Sequence, residues 1–561
     1  MGKMKRFVDM EYQRPDFEAE KAARRQYVEQ IEQAKSKEEL VDVIVKEDER
    51  SRMMWTMYDL AYIRNTIDTT DPFYEQEMSN FYKEIGELSL LGQQAEEAVL
   101  RSPYKSGIEE KFGPLPLRDM ETGLKLMSPN VVEDLTEESR LCQEYNRLVS
   151  SCTAEFHGET CTFSTLSKYM QNVDRSVRKE SFQVWASMYE GIGDRLDDIY
   201  ERMVAVRSRI AEKLGFDSYI SYIYTRFGRY DYGPEDVKKF RGYVKDQIVP
   251  VCERLFKEQA ESLGLSAVTF YDEQLKHPDG NAAPTGTKGE MLKSAKEMYH
   301  ELSKETGEFF DFMLEHEMFD LDSKPGKQPG GYCSFLPGVK SPFIFANFNG
   351  TSADVDVLTH EMGHAFEAYT ASRIYPLSSM TWASSETNET HSMSMEFLTY
   401  PWMEKFFGDK VGLYRKDHLI QALEAVPFMV TVDEFQHRVF EEKPDAAGRK
   451  KIWHELEQTY MPWRDYDGNA FFEAGGYWMQ RQHIFINPFY YVDYALAQMG
   501  AFHFYRMMDE DPKTAWEEYY RLCRSGGSRG YFETLEYSGI GNPFCEETIR
   551  GIMEFLQSKL F

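Results

Sequence analysis

Apolar residues recur at helical spacing along most of the chain. Between Pro15 and Pro72 no proline interrupts a stretch rich in Glu, Lys, Ala, Arg and Met. Within it, Tyr27, Ile31, Leu40, Val43 and Ile44 mark the apolar faces of amphipathic helices. Pro114 and Pro116 break the pattern, and Gly264–Ser266 and His277–Gly289 read as loops. Further on, Val355, Leu358, Met362, Ala365, Phe366 and Tyr369 predict a helix with one buried face. Asn349-Gly350-Thr351-Ser352 forms the turn before it, with Ser352 or Thr351 as N-cap. Asp354 and Asp356 then fall in the first turn, where the helix dipole favours carboxylates. Pro342 to Phe348, ending at Asn-Gly, reads as a strand, and its leading proline suits an edge position. The competing reading is a buried core strand. Lys327 to Ser334 reads as a flexible loop; no Gly-Lys-Ser/Thr follows, so it is no Walker loop. No 20–50-residue repeat and no low-complexity tract is present.

The helix after this strand carries His360-Glu361-Met362-Gly363-His364, an HExxH motif. At 3.6 residues per turn, His360 and His364 share one face, one turn apart, so both imidazoles can reach one tetrahedral ion. Zinc takes His nitrogen and, in catalytic sites, keeps one position open for water. Glu361 beside that position can accept the proton of a water acidified by the metal. Gly363 costs about 1 kcal/mol relative to Ala in a helix interior. Its presence implies a close approach to the backbone there.

Two histidines leave the ligand set incomplete. The metzincin pattern needs a third His six residues on, but position 370 is Thr. A carboxylate from a second helix is the alternative, and Ser384 to Phe397 supplies candidates. Glu386, Glu389, Met393 and Glu396 share one helical face, interleaved with apolar residues that should pack inward. Glu389 is the favoured ligand, with Glu386 and then His391 behind it. Glu396 is read as an acceptor that orients a ligand imidazole.

These stretches, from Pro342 through the HExxH helix to Glu396, resemble the thimet oligopeptidase and oligoendopeptidase F family of zinc metallopeptidases, close to its Pz-peptidase branch. The resemblance extends over most of the chain and is best from about residue 200 to 500. It implies a third zinc ligand 25 residues beyond the second motif His, at Glu389, and a supporting Glu seven residues later, at Glu396. It implies a mainly α fold, a helical clam-like two-lobed body around a deep substrate channel, with a small β-sheet beside the HExxH helix. It also favours the edge-strand reading, in which a bound peptide pairs with the strand by β-augmentation. Phe345, Ala346 and, in the preceding loop, Gly331 are then candidate substrate contacts.

A peptide hydrolase also needs donors aimed at the oxyanion. Family members carry a His followed by a Tyr-x-x-Tyr element, and His483 with Tyr491-Val492-Asp493-Tyr494 matches it. Tyr494 is the expected main donor and His483 its helper, with Tyr491 binding substrate and Tyr490 able to replace either tyrosine. Without the resemblance, these aromatics read as core.

Composition narrows the partners. A net charge of −29 argues against nucleic acid and anionic membrane as partners, since both need a cationic surface. Seven scattered cysteines with no CxxC pair fit reduced thiols in the cytoplasm. The N-terminal residues carry no apolar signal core, and no apolar run is long enough to span a membrane. The expected division is a helical N-terminal lobe, 1–165, and a catalytic lobe, 166–561. The expected function is a one-zinc endopeptidase acting on oligopeptides. An exopeptidase or dipeptidase of related fold is the first alternative and a non-catalytic peptide-binding protein the second.

Overall fold

The computed structural model describes residues 4–561 and is mainly helical. The proline-free N-terminal stretch forms the helices Phe17–Gln33 and Lys37–Ile67, and a third, Pro72–Arg101, follows. Each starts where a side chain satisfies an orphan N–H: Asp16 accepts from Ala19, Ser36 from Glu39 and Asp71 from Phe73. Ile31, Leu40 and Ile44 pack against Ala95, Ala98 and Val99 in one core cluster, with Tyr27 and Val43 at its margin. Pro116 sits in the first turn of the helix Leu115–Lys125, where no backbone donor is needed.

The chain folds into two compact units, each built from three separated segments. The first comprises residues 1–125, 283–411 and 500–541; the second comprises 126–282, 412–499 and 542–561. A single cut near residue 165 coincides with neither unit, because helices far apart in sequence pack face to face. The first unit holds a three-stranded sheet. The second holds the hairpin Ala154–Phe156 and Glu159–Cys161, whose turn residues His157 and Gly158 both have positive φ, 50° and 84°. No helix among the described residues is long and apolar enough to cross a membrane.

The sheet corrects the edge-strand reading. Its order places Ser341–Phe348 in the centre, parallel to Phe319–Asp322 and antiparallel to Tyr332–Leu336. Parallel pairing begins only at Phe319 opposite Ile344, so Pro342 is paired on one side and its missing N–H costs nothing. Tyr332–Leu336 is one of the two edge strands beside it, and its residues Tyr332 to Ser334 fall in the segment expected to be loop. The remaining loop is not loose. The buried Lys327 ammonium donates to Asp320 Oδ1 at 2.6 Å and faces the carbonyls of Asp322 and Ala346 at 2.8 and 2.5 Å. Asn347 Nδ2 donates to the carbonyls of Gln328 and Gly330.

Candidate metal centre and active site

The motif helix runs Ala353–Ile374. Ser352 occupies its N-cap position but caps with no side-chain hydrogen bond. No side-chain cap replaces it; Asp354, in the first turn, instead accepts from the N–H groups of Asn349 and Gly350 in the preceding turn, both at 2.8 Å. The aspartate thereby ties the helix start to the end of the central strand.

The acid-rich helix, Ser385–Leu398, crosses the motif helix at Gly363. A Cβ there would stand 2.6 Å from the His391 carbonyl oxygen and 2.6 Å from Ser392 Cα. The close approach inferred from Gly363 is thus the backbone of the second helix. A similar fit recurs at Gly500, whose Cβ would meet Thr390 Cγ2 at 2.8 Å. Tyr519 Oη donates to the His391 carbonyl at 2.9 Å and holds the acid-rich helix from a further side.

This packing brings His360, His364 and Glu389 together, with one ligand atom from each all within 4.8 Å. Glu389 Oε2 lies 3.4 Å from His360 Nε2 and 3.5 Å from His364 Nε2. Ligands about 2.0–2.1 Å from a tetrahedral ion stand about 3.3–3.4 Å apart, so the spacing fits one zinc-sized ion. Glu396 Oε1 accepts from His360 Nδ1 at 2.7 Å, which orients the ring with Nε2 toward Glu389. Ser392, which sequence reasoning missed, donates to the Glu389 carbonyl at 3.0 Å and stands 3.2 Å from its Oε2. Glu386 and His391, the other candidate ligands, are buried outside this set.

The carboxylates and imidazoles of the site sustain one another's charge. Burial opposes ionisation of Glu389, yet hydrogen bonds from His360 and His364 hold its carboxyl well below the usual range. Burial likewise opposes protonation of His360, but Glu389 and Glu396 raise its pKa well above the ordinary value. Glu361 is buried, and its Oε2 has no hydrogen-bond partner among the described residues. Burial raises its pKa, which brings a carboxylate toward the range suited to proton transfer near neutrality. A Cβ on Gly331 would lie 3.5 Å from Glu361 Oε1 and 3.4 Å from the Phe345 carbonyl, so the bare glycine leaves room beside Glu361. Phe345 and Ala346 themselves are fully buried. Their strand is flanked by a strand on each side, so it has no free edge for the main-chain pairing with peptide expected of them.

His483 and the tyrosines lie in the second unit. The His483 ring is 5.0 Å from Tyr491, 6.1 Å from Tyr494 and 6.3 Å from Tyr490. All four are partly exposed. Their platform is rigid: Phe489, just before them, has φ of 63°, and its N–H donates to buried Gln436 Oε1 at 3.0 Å. Arg229 Nη2 donates to the Phe489 carbonyl at 2.6 Å and to Asp493 at 2.7 Å, fixing the start of the helix Tyr491–Glu510. Arg229, Gln436 and Asp493 carried no sequence signal, because a buried ion pair is made by residues far apart in the chain.

Comparison with known proteins decides the family. The model for peptidase family M3 matches residues 168–554, and that for the peptidase M3 N-terminal domain matches residues 7–127. The chain belongs to peptidase family M3. It is a metallopeptidase, and peptides are its substrates. A structure of PZ peptidase A with an inhibitor is similar at 40% identity and a TM-score of 0.93, covering 98% of this chain and 99% of that one. An X-ray structure assigned as oligoendopeptidase F is similar at 38% identity and a TM-score of 0.94, covering 99% of both chains. An oligoendopeptidase F homologue from Borreliella burgdorferi is 21% identical over 437 residues, spanning 74% of this chain and 71% of that protein. The M3 peptidase thus has the mainly helical fold, with a small sheet beside the HExxH helix, that its motifs implied.

Proposed function

We propose that this M3 peptidase is a cytoplasmic zinc endopeptidase that cuts internal bonds of short oligopeptides. The observation that carries the reading is the His360, His364 and Glu389 set, spaced for one tetrahedral ion, with the unpartnered Glu361 oxygen on the same helix. His360, His364 and Glu389 would hold the ion. A metal there supplies Lewis-acid polarisation of the scissile carbonyl and of the attacking water. Glu361 takes the proton of that water and returns it to the leaving amine. Glu396 keeps His360 oriented throughout. Tyr494, assisted by His483, donates to the oxyanion, and Tyr491 or Tyr490 contacts the peptide. Main-chain pairing with substrate passes from the central strand to the edge strand Tyr332–Leu336, whose outer side no described strand covers. Seven unpaired cysteines support a reducing compartment.

The test is turnover of an internally quenched peptide blocked at both ends, before chelation, after it and after zinc is restored. Cleavage that stops with chelator and returns with zinc is expected. Cleavage only of peptides with a free end would replace the reading with an exopeptidase.

A further inference from the structure

The two faces of the sheet have different neighbours. Cys333, on the edge strand, points to the face packed against the motif helix, where burial and nearby Glu361 and Glu367 push its thiol up. Tyr332 and Ser334, one residue to either side, point to the opposite face, as strand alternation requires. Both meet the long helix Lys37–Ile67. Tyr332 Oη is 2.6 Å from Thr66 Oγ1, and its ring lies 5.6 Å from that of Tyr62. Ser334 Oγ donates to Asp59 Oδ1 at 3.4 Å.

Asp59 has no cation partner among the described residues. The Ser334 hydroxyl is its one hydrogen-bond partner, and a long one. Burial pushes its pKa up to about 7, with Ser334 opposing only in part. Such a carboxylate is costly unless something positive reaches it. It is also partly open to solvent, on the helix, opposite Ser334 in the middle of a half-exposed edge strand. Aromatic residues lie nearby: Tyr58 and Tyr62, on the same helix, stack at 6.4 Å, and Tyr82 is exposed. A carboxylate with aromatic residues nearby suits an ammonium or guanidinium on an alkyl stem.

We propose that Asp59 selects substrates: it receives the side chain of a lysine or arginine near the scissile bond. The inference rests on the edge-strand reading of peptide binding above. A peptide paired with Tyr332–Leu336 alternates its side chains between the two faces. Those turned from the motif helix face the long helix and Asp59. The bond to be cut stays on the other face, near Glu361, so Asp59 acts on selection and not on the chemical step.

The test is kcat/KM for a doubly blocked peptide series in which each position around the cleaved bond carries arginine, citrulline, glutamate or norleucine in turn. The unmodified protein, Asp59→Asn and Asp59→Lys are compared. One position should favour arginine over citrulline about tenfold, the scale of one charge-assisted hydrogen bond. That preference should vanish in Asp59→Asn and pass to glutamate in Asp59→Lys. All three proteins should cleave the norleucine peptide alike, which also shows that the variants fold. A flat arginine-to-citrulline ratio at every position, or a preference unchanged in Asp59→Asn, would overturn the assignment. Failure of the unmodified protein to cut even the norleucine peptide would instead bring down the endopeptidase reading, and this inference with it.

Discussion

The helical and strand halves of the metal-bearing unit were encoded differently. In the helical half, an i,i+4 pair on one helix and an i,i+7 pair of acids on another become a ligand cluster with little further information. In the strand half, three short segments take an order that no local pattern announces. Helix geometry converts spacing directly into position, whereas a strand's neighbours are chosen by partners elsewhere in the chain. The ligand centre therefore depends on one helix crossing, and the peptide-binding edge depends on a loop and a strand order.

That contrast can be broken at the crossing first. Gly363→Val would force the motif and acid-rich helices apart, since even a Cβ lies 2.6 Å from backbone atoms of His391 and Ser392. Metal titration should show binding lost, while far-ultraviolet circular dichroism keeps its helical signal. Unchanged metal affinity would mean that the crossing does not set the centre. Glu396→Gln is a milder disturbance of the same half. It should weaken metal binding by roughly 10–100-fold, the usual cost of losing a ligand-orienting carboxylate, with the fold intact. Competition with a calibrated chelator reads this directly.

On the strand side, methylating one substrate backbone nitrogen at a time removes single donors to the edge strand. Loss of one main-chain hydrogen bond should raise KM by about tenfold at the positions that pair and leave the others unchanged. A uniform response along the peptide would argue against strand pairing. The smallest effect concerns Asp59. Its folded pKa, near 7, lies above the usual aspartate value, so its ionised form destabilises the fold above pH 7. That penalty fades as pH falls toward the unfolded value. Asp59→Asn should therefore melt on the order of 1 °C higher than the unmodified protein at pH 8, with the gap closing by pH 4. An equal gap at both pH values would show that Asp59 carries no such burial cost.

Much of the helical half was legible. His360 and His364 needed only their spacing, and the buried face of their helix was visible in Val355, Leu358 and Met362. Glu389 was singled out from Glu386 and His391 with help from the family resemblance, and the structure brings that residue to the two imidazoles. Gly363 announced a close approach but not its partner. The strand half misled because Pro342 mimics an edge residue, although its strand becomes central only two residues later. Lys327 looked like part of a loose loop because all its acceptors but the Asp320 carboxylate are backbone carbonyls, which leave no trace in side-chain pattern. Neither Ser352 nor Thr351 caps the motif helix, and Asp354 reaches back to the turn before it instead. In the second unit, the gathering of His483 with Tyr490, Tyr491 and Tyr494 was foreseeable from their closeness in sequence. The Arg229–Asp493 pair that steadies them was not.

The central claim is that Glu361 moves the proton while His360, His364 and Glu389 hold the metal. The most direct measurement is metal content and turnover of Glu361→Gln on the same sample. The account predicts one zinc per chain, as in the unmodified protein, with turnover reduced roughly 10²–10⁴-fold, the usual contribution of a positioned base. Near-normal turnover with the metal retained would contradict it.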